Sequence, residues 1–143
     1  MLPLQEIPPF IQKAFITAED KRFFKHWGVD WWARLNAIYI NLKSFRVVRG
    51  ASTITEQVVR MIHPRPRSFW SRWLETIEAY WLEKKVSKSK ILEFYLNQVP
   101  FASNRRGVVQ ASSFYFDRTI DTLTVGETLA LACLLRSPSR LDL

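Results

Sequence analysis

Glycine is scarce in this chain, with four residues in 143, while its seven prolines sit mostly near segment edges. That balance argues for helices joined by short loops. A single cysteine, Cys133, excludes an intrachain disulfide. It lies in an apolar run, where a thiol is expected to be buried and structural. The two histidines, His26 and His63, stand at no metal-ligand spacing, so no zinc site is read. No run approaches the roughly 18 apolar residues that cross a bilayer. The longest, "LALACLL" from Leu129 to Leu135, fits a core helix. Internal repeats and low-complexity linkers are absent. The start, "MLPLQEIPPF", lacks a basic end and a long apolar stretch and is no signal peptide. It begins abruptly, and "SPSRLDL" ends abruptly, as an excised or incomplete domain would.

The apolar content, 48%, supports a core within one domain. The net charge of +8 points to an anionic partner: nucleic acid, an anionic membrane or a phosphorylated ligand. The basic residues are dispersed over amphipathic segments with no recognisable nucleic-acid module, so nucleic acid is set aside.

Segment by segment the chain reads as helices. "PPFIQKAFITAED" is opened by Pro8 and Pro9. "DWWARLNAIYINLKSF" carries Trp31, Leu35, Ile38 and Leu42 at helical spacing behind Asp30 as N-cap. In "ASTITEQVVRMI", Thr53 and Glu56 are spaced as a capping box. "HPRPR" breaks the chain. "SFWSRWLETIEAYWLEKKV" is a long amphipathic helix with Phe69, Trp73, Ile77 and Trp81 four apart. "SKSKILEFYLNQV" follows behind Ser87, and "GVVQASSFYF" and "TVGETLALACLLR" complete the set, the last with a second capping box at Thr124 and Glu127. No alternating strand pattern appears. The reading is mainly α, compact and single-domain.

Three stretches carry candidate chemistry. Glu19 and Asp20 are either solvated acids beside Lys21 and Arg22, or include a carboxylate walled by Phe23, Phe24 and Trp27, as a general base would be. "RGASTITEQVVR" puts the hydroxyls of Ser52, Thr53 and Thr55 at a helix start between Arg49 and Arg60. Such a start is either ordinarily capped or suited to phosphate or sugar oxygens. "RPRSFWSRWLE" brings Arg65, Arg67 and Arg72 up to Glu75, a phosphate-binding set or a solvated face. Glu75, Glu78 and Glu83 also read as the outer stripe of their helix, with Glu75 half-buried.

Taken in order, these stretches resemble glycosyltransferase family 51, the peptidoglycan glycosyltransferases found alone or in class A penicillin-binding proteins. The resemblance runs from Ala14 to Arg140. "AEDKRFFKHWGVD" is similar to the first motif, Glu-Asp-x-x-Phe-x-x-His-x-Gly, at Glu19, Asp20, Phe23, His26 and Gly28. "GASTITEQ" is similar to Gly-x-Ser-Thr-Ile-Thr-Gln-Gln, with Glu56 for the first glutamine. "SRWLE" stands for Arg-Lys-x-x-Glu, with Ser71 for arginine, and "KSKILEFYLN", Lys88 to Asn97, matches the fourth motif throughout. Arg60 replaces a family lysine and Asp117 a family glycine.

The resemblance implies a lysozyme-like helical fold with a small membrane-facing part between the first two motifs. It implies polymerisation of lipid II into β-1,4-linked glycan with inversion. The donor is the growing strand on a polyprenyl pyrophosphate, and the acceptor is a sugar 4-hydroxyl. Glu19 is implied as general base and Glu75 as the second catalytic glutamate, at the donor side. Asp20, Phe23, His26, Ser52, Thr53, Thr55, Gln57, Arg60, Arg67, Arg72 and Glu83 are implied as substrate-binding. Arg65 and Arg46 have no family counterpart and are expected to be plain surface charge. The one cofactor implied is a divalent cation, magnesium or manganese, at the pyrophosphate. Implied partners are lipid II, the glycan strand, an anionic membrane surface and cell-wall synthesis proteins, at the outer face of the bacterial cytoplasmic membrane. The family's membrane anchor and transpeptidase domain have no counterpart in residues 1–143. Two other readings stay open: a non-catalytic lipid II-binding scaffold, and a lysozyme-like hydrolase using two carboxylates.

Overall fold

The computed structural model describes residues 1–45 and 50–136, without the side chain of Arg136. Seven α-helices are described: α1 Pro9–Glu19, α2 Trp31–Ser44, α3 Ile54–Ile62, α4 Phe69–Lys85, α5 Lys88–Gln98, α6 Gly107–Phe116 and α7 Val125–Arg136. Single 3-10 turns stand at Leu4–Glu6, Phe23–Lys25 and Ile120–Thr122. The expected caps form. Asp30 accepts from Ala33 N–H, and Ser68 and Ser87 accept at the starts of α4 and α5. Thr53 with Glu56 and Thr124 with Glu127 make reciprocal capping boxes. Arg46, Arg49 and Arg140 lie outside the described residues.

One core runs through the molecule. α5 supplies its centre with Ile91, Leu92, Tyr95 and Leu96. Around it pack Ile11 and Phe15 of α1, Ile54 and Val58 of α3, Val108 and Ala111 of α6, and Leu131 and Ala132 of α7. α3 lies between α4 and α5, and α1 lies on α7.

One helix does not follow the expected burial. In α4 the four-residue stripe Phe69, Trp73, Ile77 and Trp81 points outward, between 48 and 78% exposed. The inward face is Ser71, Glu75, Thr76, Ala79 and Glu83, so Glu75 and Glu83 form no outer stripe. The buried face is polar because α3 offers it hydroxyl, carboxylate and guanidinium partners, and a partnered polar group need not stay in water. α2, between the first two motifs where a membrane-facing part is expected, exposes Trp31, Trp32, Leu35, Ile38, Tyr39 and Leu42 and buries only Ala37. Cys133 is exposed, not buried. α7 turns Thr128, Leu131 and Ala132 inward, which leaves position 133 on the opposite side of the helix.

Two glycines fix close approaches. Gly28 has φ +72°, and a Cβ there would stand 2.7 Å from the α4 backbone at Ala79 and Tyr80. Gly107 has φ +74°, and its Cβ would stand 2.2 Å from the Asn97 carbonyl oxygen. Asp117 ends α6 at φ 51°, the left-handed region that glycine occupies most easily. Gly28→Ala and Gly107→Ala should each cost more than about 1–2 kcal/mol, the left-handed penalty alone. Gly50→Ala, with nothing within 4 Å of the added carbon, should stay within about 1 kcal/mol of the parent. Urea midpoints of the three variants check this, and Asp117→Gly should not lower the midpoint.

Candidate active site

The first turn of α3 is tied to four other segments of the chain. Thr53 donates from Oγ1 to the Gly28 carbonyl at 2.5 Å. The Ile54 N–H donates to Asp20 at 3.0 Å, and Thr55 Oγ1 donates to Glu83 at 2.5 Å. Glu56 accepts from Thr53 N–H at 2.9 Å, from Thr76 Oγ1 at 3.0 Å and from an Arg34 Nη2. Gln57 Nε2 donates to Glu19 Oε2 at 3.1 Å. Thr53, Thr55 and Glu56 are buried.

This arrangement reassigns several of the expected contacts. At the helix start the Thr53 and Glu56 N–H groups are taken by the capping box and the Ile54 N–H by the Asp20 carboxylate. Asp20 also accepts from His26 Nε2 with both oxygens at 2.9 Å, which puts the imidazole proton on that nitrogen. Phe23 is wholly buried in the core beside His26. Glu83 accepts from Thr55 and from Lys88, whose ammonium stands 4.5 Å over the Phe23 ring. Asp20, Phe23, His26, Thr53, Thr55 and Glu83 thus form the frame behind the surface. Ser52 is half-buried in the approach to α3. Phe24 and Trp27 are 63 and 65% exposed.

Glu19 differs from its neighbour. It is the last residue of α1, where the helix dipole does not favour a negative charge, and it is partly exposed. Beneath it lies Tyr95, fully buried, its hydroxyl without a partner among the described residues. Burial, and then the nearby Glu19 and Asp20 carboxylates, push the Tyr95 phenol above its ordinary pKa. Sequence reading took Tyr95 only as part of a motif; its place under the carboxylates is a tertiary fact.

One helical turn beyond Gln57 on α3 stands Arg60. Its Nε and Nη2 donate to the two oxygens of Glu75 at 3.0 and 2.8 Å. The bond to Glu75 raises the Arg60 pKa further above its already high value. This pair lines a cavity of about 440 Å³ together with Arg65, Arg67, Ser71 and Arg72. Arg65 is therefore no plain surface charge. It bonds Glu78 and holds that carboxyl below the usual carboxylate range. Ser71, where the family has arginine, donates from its hydroxyl to the Pro66 carbonyl and, with Ser68, closes the start of α4. Glu56, where the family has glutamine, has Arg34 as its counter-charge.

The cavity suits a multiply charged anion: four guanidiniums face one space with a single carboxylate among them. It does not suit a protein-held divalent cation. Both Glu75 oxygens accept from Arg60, and no group of three His, Cys, Asp or Glu side chains gathers among the described residues.

The two adjacent acids of the first motif therefore differ in what their loss should do to the fold. Asp20→Ala should destabilise the fold by about 1–3 kcal/mol for each buried donor left unpaired, His26 Nε2 and Ile54 N–H. Glu19→Gln should leave the urea midpoint close to that of the parent.

The transglycosylase family profile matches residues 1–143. The chain is 39% identical over 137 residues to penicillin-binding protein 1A of Neisseria flavescens, covering 95% of this chain and 17% of that protein. It is 37% identical to penicillin-binding protein 1A of Rickettsia bellii, covering 99% and 18%. It is 36% identical to penicillin-binding protein 4 of Bacillus subtilis, covering 99% and 23%. The chain thus spans about a fifth of the length of these relatives. Its motifs, its helical architecture and the end-to-end profile match agree, and the chain belongs to the transglycosylase family, the peptidoglycan glycosyltransferases of glycosyltransferase family 51.

Proposed function

We propose that this chain polymerises lipid II, joining a polyprenyl-pyrophosphate-linked glycan donor to the sugar 4-hydroxyl of an acceptor. The observation that carries the reading is the shared face of α3. Gln57 and Arg60, three residues apart on that face, bond Glu19 and Glu75 respectively, and the Arg60–Glu75 pair lines the arginine-rich cavity. Glycosyl transfer needs those two things. Glu19 takes the proton from the acceptor hydroxyl as its oxygen attacks the anomeric carbon. The bond from that carbon to the pyrophosphate oxygen breaks, with inversion. The departing pyrophosphate gathers negative charge, and the guanidiniums of Arg60, Arg67 and Arg72 stabilise it where it forms. Hydrolysis of a neutral glycan has no use for such a cavity, which weighs against a lysozyme-like reaction. Any divalent cation would ride on the pyrophosphate itself, since the residues present offer it no cage.

The same reading places the chain at a membrane surface, where a polyprenyl substrate resides, and the outer face of the bacterial cytoplasmic membrane is the site that fits peptidoglycan assembly. The outward faces of α2 and α4 carry aromatic and aliphatic side chains on a chain of net charge +8. That combination binds anionic interfaces by apolar burial and charge attraction. No helix among the described residues is long and apolar enough to cross a membrane.

Incubation with labelled lipid II, followed by gel separation of glycan strands, tests the reaction. The parent chain should yield strands. Glu19→Gln should slow their formation by about 10²–10⁴-fold, the usual contribution of a general base, while lipid II binding persists. Binding without strand formation by the parent would favour the scaffold reading. Sedimentation with anionic vesicles at low salt tests the surface: the parent should pellet, and Trp31→Ala combined with Trp32→Ala and Leu35→Ala should shift it toward the supernatant.

A further inference from the structure

The carboxylate of Glu75 is committed to one partner. Both of its oxygens face the Nε and Nη2 groups of Arg60, a side-on fork that fixes the guanidinium plane. Glu75 is only 5% exposed, whereas the Arg60 side chain is 39% exposed on the cavity wall. The fork uses two of the five N–H donors of a guanidinium, and three remain for an anion in the cavity. The family residue at this position, a lysine, is a point charge on a flexible stem and has no plane to fix. With arginine in its place, the direction of the remaining donors depends on what holds the fork.

We propose that Glu75 is a positioning residue that acts on the reaction only through Arg60, aiming the free guanidinium edge at the donor's phosphate oxygens. This rests on the glycosyl-transfer reading above and assigns Glu75 a role distinct from that of an acid, a base or a metal ligand. Two consequences separate the idea from its rivals. The phosphate and Glu75 occupy different edges of Arg60, so an anion binds without breaking the fork. Loss of Glu75 also has no further effect once Arg60 is gone.

The first consequence is read without turnover, by following the Arg60 Nε–H resonance by NMR while adding inorganic pyrophosphate, with the signal assigned by its loss in Arg60→Lys. The signal should shift on titration and keep its protection from exchange with water. Loss of that protection at saturation would mean that phosphate displaces Glu75, and the proposal fails. The second is a double-mutant cycle on polymerisation rate at saturating lipid II. Glu75→Gln and Arg60→Gln should each lower the rate about 10²-fold, the scale of one lost transition-state donor. The double variant should fall within about threefold of the slower single variant, as expected for coupled sites. Multiplying losses would show that Glu75 acts independently of Arg60 and would overturn the proposal. Should Arg60→Gln fail to fold by circular dichroism, Arg60→Lys takes its place, and adding Glu75→Gln to it should leave the rate within about threefold of Arg60→Lys alone. A parent chain that makes no strands would sink the glycosyl-transfer reading while the pyrophosphate titration still decides the geometry.

Discussion

Five consecutive residues at the start of α3 bind four separate parts of the chain, and the rest of the structure is arranged around that turn. Thr53 reaches Gly28 at the end of the first motif, Ile54 reaches Asp20, Thr55 reaches α4 at Glu83, Glu56 reaches α2 and α4, and Gln57 reaches Glu19. Each bond is short-ranged and directional, so together they specify orientation in a way that apolar packing alone does not. The apolar side of the same helix, Ile54 and Val58, enters the core against α5. One helix is thereby anchored by hydrocarbon on one side and by hydrogen bonds on the other. Because α3 also carries Gln57 and Arg60, the precision of the frame passes directly to the candidate active site.

The polar frame explains the inverted burial of α4. Its carboxylates and hydroxyls are drawn inward by partners on α3, α2 and the following turn: Glu75 by Arg60, Thr76 by Arg34 and Glu56, Glu83 by Thr55 and Lys88. Its aromatic stripe then has no choice but to face outward. Exposed apolar faces such as those of α4 and α2 are, when contiguous, the kind of surface that marks contact with another apolar phase or chain. Fold stability and surface character are thus two outcomes of the same arrangement of polar partners.

The departures from family residues acquire physical reasons once the neighbours are known. Glu56 can be a buried anion because Arg34 meets it. Ser71 can replace an arginine because its hydroxyl closes the turn at Pro66 and Ser68. Asp117 stands at a positive φ, a position where Asp is among the few residues tolerated besides glycine. In each case the change is local and leaves the cavity-lining guanidiniums in place.

By itself the sequence determined the helical class, the cap residues and the order of the motifs. Caps and helical spacing are local: Thr53 with Glu56 and Thr124 with Glu127 depend on residues within one turn of each other. Family membership was legible for the same reason, since the motifs are contiguous strings such as "KSKILEFYLN". Burial was not legible. Phe69, Trp73, Ile77 and Trp81 have the spacing of a core face and stand outside, while Glu75 and Glu83 have the look of a solvated stripe and lie within. Periodicity shows which residues share a face, but only the partners across the interface decide which face turns inward. The roles of the motif residues were decided at the same level. Whether a hydroxyl of "STIT" meets a ligand or Gly28 and Glu83, and whether Arg65 is surface charge or cavity wall, depends on segments remote in the chain. Hydrogen bonds that span such separations are set by the tertiary fold.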